Sequence, residues 1–383
     1  AKKLHIKFKE DIMKTLALCM IVRDEEACLE RCLSSVKACV DEIIIVDTGS
    51  VDKTKEIAKK FTDKIYDFEW VYDFSKARNY SFDLSKCEYN MWLDADDIVL
   101  EETVKKIKEW KEKGEACDTM MCSYVTSFDE NFKPLFAFTR ERIMKNIKAL
   151  RWKDPIHEVV SPYGKLLYRN DIAIYHNKKN KPYTDRNLNI YRRMIENKVK
   201  FSPRQQFYYA RELYYNNLID EAIHQFSIFL SENKGWTENN IEACLNLAKC
   251  YQLKGEIRSA LTALFGSFIY SVPRGEVLYE IGKIFEGKNQ YHEAIYWYKQ
   301  ALSSDIDLQN GGFVNMDCHQ FLPALQLCVC YYKIGDSEKS YYYHKLARKF
   351  KPNDENVKYN EKFFKTLRKS EKNQQNNKKI TLK

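Results

Sequence analysis

A chain of 383 residues is too long for one ordinary hydrophobic core and suits two domains. Its 44% hydrophobic and 31% charged content describes a soluble globular chain, and aliphatic runs such as Ile43–Val46 fall far short of the roughly 20 apolar residues of a membrane span. The net charge of +9 suggests nucleic acid until it is located: residues 345–383 hold 13 Lys/Arg against 4 Asp/Glu, leaving 50 basic and 50 acidic side chains before them. The excess is a property of the tail, which argues against a nucleic-acid partner for the folded part.

The N-terminus carries charges (Lys2, Lys3, Lys7, Lys9, Glu10) where a signal peptide needs its apolar stretch, so a cytoplasmic protein is expected. Twelve cysteines include no Cys-x-x-Cys pair, and read as small hydrophobes in a reducing compartment rather than a zinc site. The Lys/Asn/Gln-rich end from Glu371 is expected to be disordered.

Strand and helix signals then alternate. Leu16–Val22 is an apolar strand, and Leu29, Cys32, Leu33 and Val36 follow at helical spacing. Glu42–Val46 is a second buried strand, and Asp52 caps a predicted helix to about Phe61. Ile65–Phe68, a helix over Ser75–Leu84, and a strand over Tyr89–Leu93 complete the series. The alternation predicts an α/β domain with a mainly parallel sheet, whose ligands bind beyond the carboxyl ends of the strands. Three polar clusters stand there: Arg23–Glu26, Asp47–Ser50 and Asp94–Asp97.

From about Thr184 the grammar is helical. Small residues pair 12 positions apart at Ala210/Ala222, Ala248/Ala260, Gly282/Ala294 and Cys328/Ser340. An aromatic or large apolar residue follows the first of each pair by three (Leu213, Tyr251, Phe285, Tyr331). Small residues recurring at a period near 34 mark close helix crossings and resemble the tetratricopeptide repeat; Asn310-Gly311-Gly312 reads as an inserted loop. The predicted domains are 1-183 (α/β), 184-202 (connecting helix), 203-369 (helical repeats) and 370-383 (basic tail).

Asp94 and Asp96, two apart at a strand end, project the same way and are costly together without a cation. A hard dication, Mn2+ or Mg2+, takes such oxygen ligands and bridges to phosphate. Arg78 is able to fork onto a diphosphate as Lys cannot. Asp47, closing a buried strand, is placed to accept a hydrogen bond from a base N–H.

Four segments in order resemble the nucleotide-binding half of family-2 glycosyltransferases of the GT-A fold: Met20–Glu26, Ile45–Thr54, Phe74–Asn79 and Trp92–Asp97. Similar bacterial enzymes append helical repeats, among them the sublancin-type peptide S-glycosyltransferases. The resemblance implies an inverting, metal-dependent transfer of a sugar from a nucleotide-sugar, a UDP-sugar, to a peptide or protein side chain. It places a uracil-like base at Asp47 with Val22, Asp24, Glu25 and Thr48, and the ribose near Asp94 and Ala95. Asp96 and His176 become metal ligands, although Asn177-Lys178-Lys179 stands where the family continues Gly-Tyr. Trp70 stacks on base or sugar, or packs. The catalytic base is Glu158, in a segment Arg151–Glu158 that resembles the family's His-Glu element, with Asp154 second. The repeats select the acceptor or form a homodimer. The alternatives are a cell-surface glycan acceptor, or a repeat scaffold with an inactive transferase half.

Overall fold

The computed structural model describes residues 13–128, 132, 134–177, 185–305 and 314–367. The basic tail from 370, the Asn310-Gly311-Gly312 insertion and Lys178-Lys179 lie outside the described residues. The chain divides into two compact units, Ala1–Val199 and Lys200–Lys383.

In the first unit, β1 (Leu16–Val22) lies between β2 (Glu42–Asp47) and β4 (Tyr89–Trp92), parallel to both, and β3 (Ile65–Asp67) extends the sheet parallel to β2. The apolar run of β1 is continuous because both its faces are covered. Leu16, Leu18 and Met20 enter one core with α1 (Leu29–Val36), while Ala17 and Cys19 enter the other with Phe82 of α3 (Phe74–Asp83). The helix expected from Asp52 to Phe61 is shorter, α2 (Thr54–Ala58), with Lys53 at its N-cap. Asp52 still caps from one position earlier, its Oδ1 accepting from Thr54 N at 2.9 Å.

Beyond β4 the chain makes β5 (Asp97–Val99) and α4 (Glu101–Lys113), then the long strands β6 (Thr119–Phe128) and β7 (Pro134–Lys145). The short pair β8 (Trp152–Lys153) and β9 (Val159–Val160) precedes β10 (Leu166–His176). The sheet order is β3-β2-β1-β4-β7-β6-β10-β5; β7 is antiparallel to β4 and β6, β10 is parallel to β6, and β5 is antiparallel to β10. The register sets His176 opposite Asp97. That pairing carries a histidine distant in sequence to the end of the acidic segment. The helix expected as a connector is α5 (Arg186–Glu196), which buries Leu188, Ile190, Tyr191 and Met194 and falls within the first unit.

The second unit is all-α. Helices pack in successive pairs: α6 (Pro203–Tyr215) with α7 (Ile219–Glu232), α8 (Thr237–Leu253) with α9 (Ile257–Gly266), α10 (Gly275–Gly287) with α11 (Tyr291–Leu302). After the short α12 (Met316–His319), α13 (Phe321–Lys333) pairs with α14 (Ser337–Phe350), and a last helix covers 355–367. The small residues stand at the crossings, as their spacing requires. Ala210, Ala222, Ala248, Ala260, Ala294 and Ser340 are fully buried, and Ser340 Oγ donates to Cys328 O at 2.7 Å. A Cβ on Gly282 would come within 2.6 Å of the Tyr298 ring. This is the tetratricopeptide-like arrangement of helix pairs. Eleven of the twelve cysteines are buried and all are free thiols. No helix among the described residues is long and apolar enough to cross a membrane.

Candidate active site

A cavity of about 450 Å³ opens at the carboxyl ends of β1, β2 and β4. The loops after these strands are interlocked by side chains. Asp24 Oδ1 accepts from Val51 N at 2.8 Å, Ser50 Oγ accepts from Asp24 N at 3.0 Å, and Thr54 Oγ1 accepts from Glu25 N at 2.7 Å. Asp24 sits at φ +52°, a left-handed conformation that short polar residues tolerate. Val22, Glu25 and Thr48 line the cavity; Asp24, spent on the loop, is not among the lining residues. Thr48 is fixed by its N and Oγ1, which both donate to Val22 O.

Asp47 stands behind Thr48, fully buried. Its Oδ1 accepts from Gly49 N and Ser50 N, both at 2.9 Å, and Gly49 supplies the φ of +104° that this turn needs. Its Oδ2 is buried without a hydrogen-bond partner among the described residues. A buried acceptor left so costs about 1–3 kcal/mol.

The acidic segment follows β4. Asp94, Ala95 and Asp96 all line the cavity, while Asp97 is fully buried beneath it. Asp97 is the hub: Oδ1 accepts from Tyr124 OH (3.2 Å) and lies 3.1 Å from His176 Nδ1. Its Oδ2 accepts from Arg142 Nη1 (3.1 Å) and Asp94 N (3.0 Å). Asp96 Oδ1 lies 3.4 Å from the same His176 nitrogen. Burial, then the crowding of Asp94, Asp97 and Glu25, raises the Asp96 carboxyl above its ordinary range, against the pull of His176. Burial alone would lower His176, but the Asp97 hydrogen bond and the charges of Asp96, Asp97 and Asp94 leave it raised.

Crowded carboxylates with a histidine are what a hard dication relieves. Asp94, Asp97 and His176 present ligand atoms within 4.8 Å of one another. Asp97 is the weakest ligand of these, because both its oxygens are already occupied. Asp96, crowded and facing the cavity, fits a cation better, with His176 beside it.

Arg78 lines the cavity as well. Its guanidinium is buried and packs against the rings of both Trp92 (4.9 Å) and Trp152 (4.8 Å), which meet edge to face. Nε donates to Glu158 Oε1 at 2.7 Å and Nη2 to Asp94 Oδ1 at 2.8 Å. Two nitrogens of the fork expected at a diphosphate thus hold carboxylates of the protein. Burial acts to raise Asp94, but Arg78 and Arg142 outweigh it and hold this carboxyl down at about 2.

Glu158 lines the cavity, whereas Asp154 is not among its lining residues. The loop carrying them is strained: Asp154 (φ +70°) and His157 (φ +52°) are both left-handed. Trp70 lines the cavity and packs edge-on against Phe74, 4.7 Å between centroids.

Sequence reasoning missed Asp97 as a hub and missed Arg140 and Arg142. These arginines, two apart on β7, flank the Trp92 ring at 4.9 and 3.7 Å; Arg140 also lines the cavity. Their alternation around Glu141 was the available signal. Also missed was the first turn of α5, where Arg186 and Asn187 reach the cavity wall.

Residues 17–198 match the family model of glycosyl transferase family 2. The chain is 30% identical over 222 residues to the SPbeta prophage-derived glycosyltransferase SunS of Bacillus subtilis, covering 55% of this chain and 51% of the relative. It is 35% identical over 149 residues to a TPR repeat-containing protein of Synechococcus elongatus, covering 39% and 36%. It thus spans from about a third to half of the length of these relatives. Among solved structures, glucosyl-3-phosphoglycerate synthase from Mycobacterium tuberculosis, in complex with Mn2+, UDP-glucose and phosphoglyceric acid, aligns at 20% identity and a TM-score of 0.26 over 29% of this chain and 44% of that one. The first unit is thus similar over nearly all its length to glycosyl transferase family 2, and the chain joins it to tetratricopeptide-like repeats.

Proposed function

We propose that the first unit transfers a sugar, with inversion, from a UDP-sugar to a peptide or protein side chain, using Mn2+ or Mg2+. The observation that carries this reading is the cavity itself. Asp94, Asp96 and His176 gather in it, and Glu158 faces the same space from a different loop. The base end is Asp47, whose unpaired buried Oδ2 suits a donor N–H, together with Val22, Glu25 and Thr48; Asp24 contributes by shaping the loop. Asp94 and Ala95 serve the ribose, and Asp96 with His176 holds the dication. When bound, the metal neutralises charge on the departing diphosphate, so the leaving group needs no proton donor.

The remaining chemistry falls to the chain. An acceptor hydroxyl or thiol attacks the anomeric carbon from the face opposite the nucleotide. Its proton passes to a Glu158 carboxylate oxygen as the carbon–oxygen bond to the diphosphate breaks. One displacement inverts the anomeric centre, and no covalent sugar–protein intermediate forms. The repeats present a peptide acceptor, as stacked helix pairs form grooves suited to extended chains, or pair two copies of the protein.

Intact mass spectrometry, after mixing the protein with UDP-sugars, Mn2+ and peptides from its own genomic neighbourhood, tests the reading. A hexose-type mass increment on a peptide is expected. Titration with UDP and Mn2+ separates this reading from an inactive scaffold, and absence of binding would sink it for uridine donors.

A further inference from the structure

We infer that Arg78 and Asn79, adjacent on α3, are positioning residues: together they bracket the 152–158 segment and fix Glu158 against the cavity. The inference rests on reading Glu158 as the base. Helix α3 grips this segment at three levels. At its start, Phe74 N donates to Pro155 O at 2.8 Å. One turn on, Arg78 Nε donates to Glu158 Oε1 at 2.7 Å. Asn79 then pairs with the backbone of Trp152 in both directions, Nδ2 donating to Trp152 O (2.9 Å) and Oδ1 accepting from Trp152 N (2.8 Å).

The grip has a purpose beyond packing. The segment holds two left-handed non-glycine residues, Asp154 and His157, a conformation that persists only where surroundings impose it. Arg78 also reaches Asp94 at 2.8 Å, so one rigid guanidinium sets the spacing between the acidic strand end and Glu158. The rings of Trp92 and Trp152 pack against it at 4.9 and 4.8 Å and help fix its orientation at the cavity wall. Asn79 does not line the cavity, so an effect of its loss on turnover must travel through the segment.

Three variants test this: Arg78→Lys, which keeps the charge and loses the planar fork, Asn79→Ser, and Glu158→Gln. Each is measured for thermal stability, for UDP affinity with Mn2+, and for UDP release from UDP-glucose and from UDP-N-acetylglucosamine at saturation. Arg78→Lys is expected to slow release about 100-fold, as for a reacting group misplaced by about 1 Å. Asn79→Ser is expected to slow it about tenfold, and both keep UDP affinity within about threefold, a kcat effect with no binding effect. In the Glu158→Gln background, Asn79→Ser adds nothing further, because the group it positions is gone.

A loss of UDP affinity of about tenfold or more in Arg78→Lys with unchanged saturated turnover would make Arg78 a phosphate clamp and overturn the inference. So would Asn79→Ser at wild-type rate while Glu158→Gln is slow. Full turnover by Glu158→Gln instead removes the base assignment, and failure of the wild type to bind UDP removes the transferase reading. If Arg78→Lys does not fold, Asn79→Ser, away from the cavity, decides alone.

Discussion

The two units are organised around different contacts. In the first, charged groups from remote parts of the chain meet at the strand ends: Arg78, Asp94, Asp97, Arg142, Glu158 and His176 form one connected network. In the second, each helix pair repeats a local solution, a small residue on one helix facing a small residue 12 positions on. A network of unlike parts has no spare member, whereas a repeat spreads its stability over similar neighbours. Damage to the first unit should therefore be large and specific, and damage to the second graded and local.

Removing the hub should have the largest effect. Asp97→Ala leaves Arg142 buried without its carboxylate and should cost about 3–5 kcal/mol in a denaturant melt. A loss below about 1 kcal/mol would show that the network is not connected as described. Asp96→Ala sharpens the contrast from the other side. Its crowded carboxyl is relieved, so the melt should hold or improve while metal-dependent transfer disappears; surviving transfer would remove Asp96 from the metal site.

In the repeats, Gly282→Ala forces a Cβ toward the Tyr298 ring and should destabilise by about 1–3 kcal/mol. The full-chain protein should retain UDP binding, since no residue of the first unit's cavity changes. Ser202→Ala removes a capping box at α6 and should cost about 1 kcal/mol, read as a small fall in melting temperature.

Acid offers the mildest probe. Asp94 is held down near 2, below its unfolded value of about 4. A carboxyl depressed by folding contributes stability that is present above the unfolded value and lost as pH falls through the folded one. Stability in acid melts should thus decline between about pH 4 and pH 2, and Asp94→Asn should flatten that decline. An unchanged slope in the variant would remove Asp94 as its source.

The helical half was the more legible. Period and small-residue spacing describe neighbours on successive helices 12 residues apart, so Ala248, Ala260 and Ser340 could be placed at crossings by counting. Strands β1, β2 and β4 were legible for a similar reason: continuous apolar runs ending in polar clusters. Strands β6 and β7 carry mixed patterns with Arg140 and Arg142 among apolar residues, and no local rule assigns those charges a partner.

The order of residues alone determined that acidic groups cluster at strand ends and that small residues recur along the second half, because both are properties of short segments. Only the tertiary structure decided what those groups touch. The antiparallel pairing of β5 with β10 brings His176 to Asp96 and Asp97. The packing of α3 against the 152–158 segment makes Arg78 a bridge between Asp94 and Glu158. A guanidinium pairs with whichever carboxylates folding places within reach, and that reach is set by strand order and register, across 80 residues of chain in the case of Glu158.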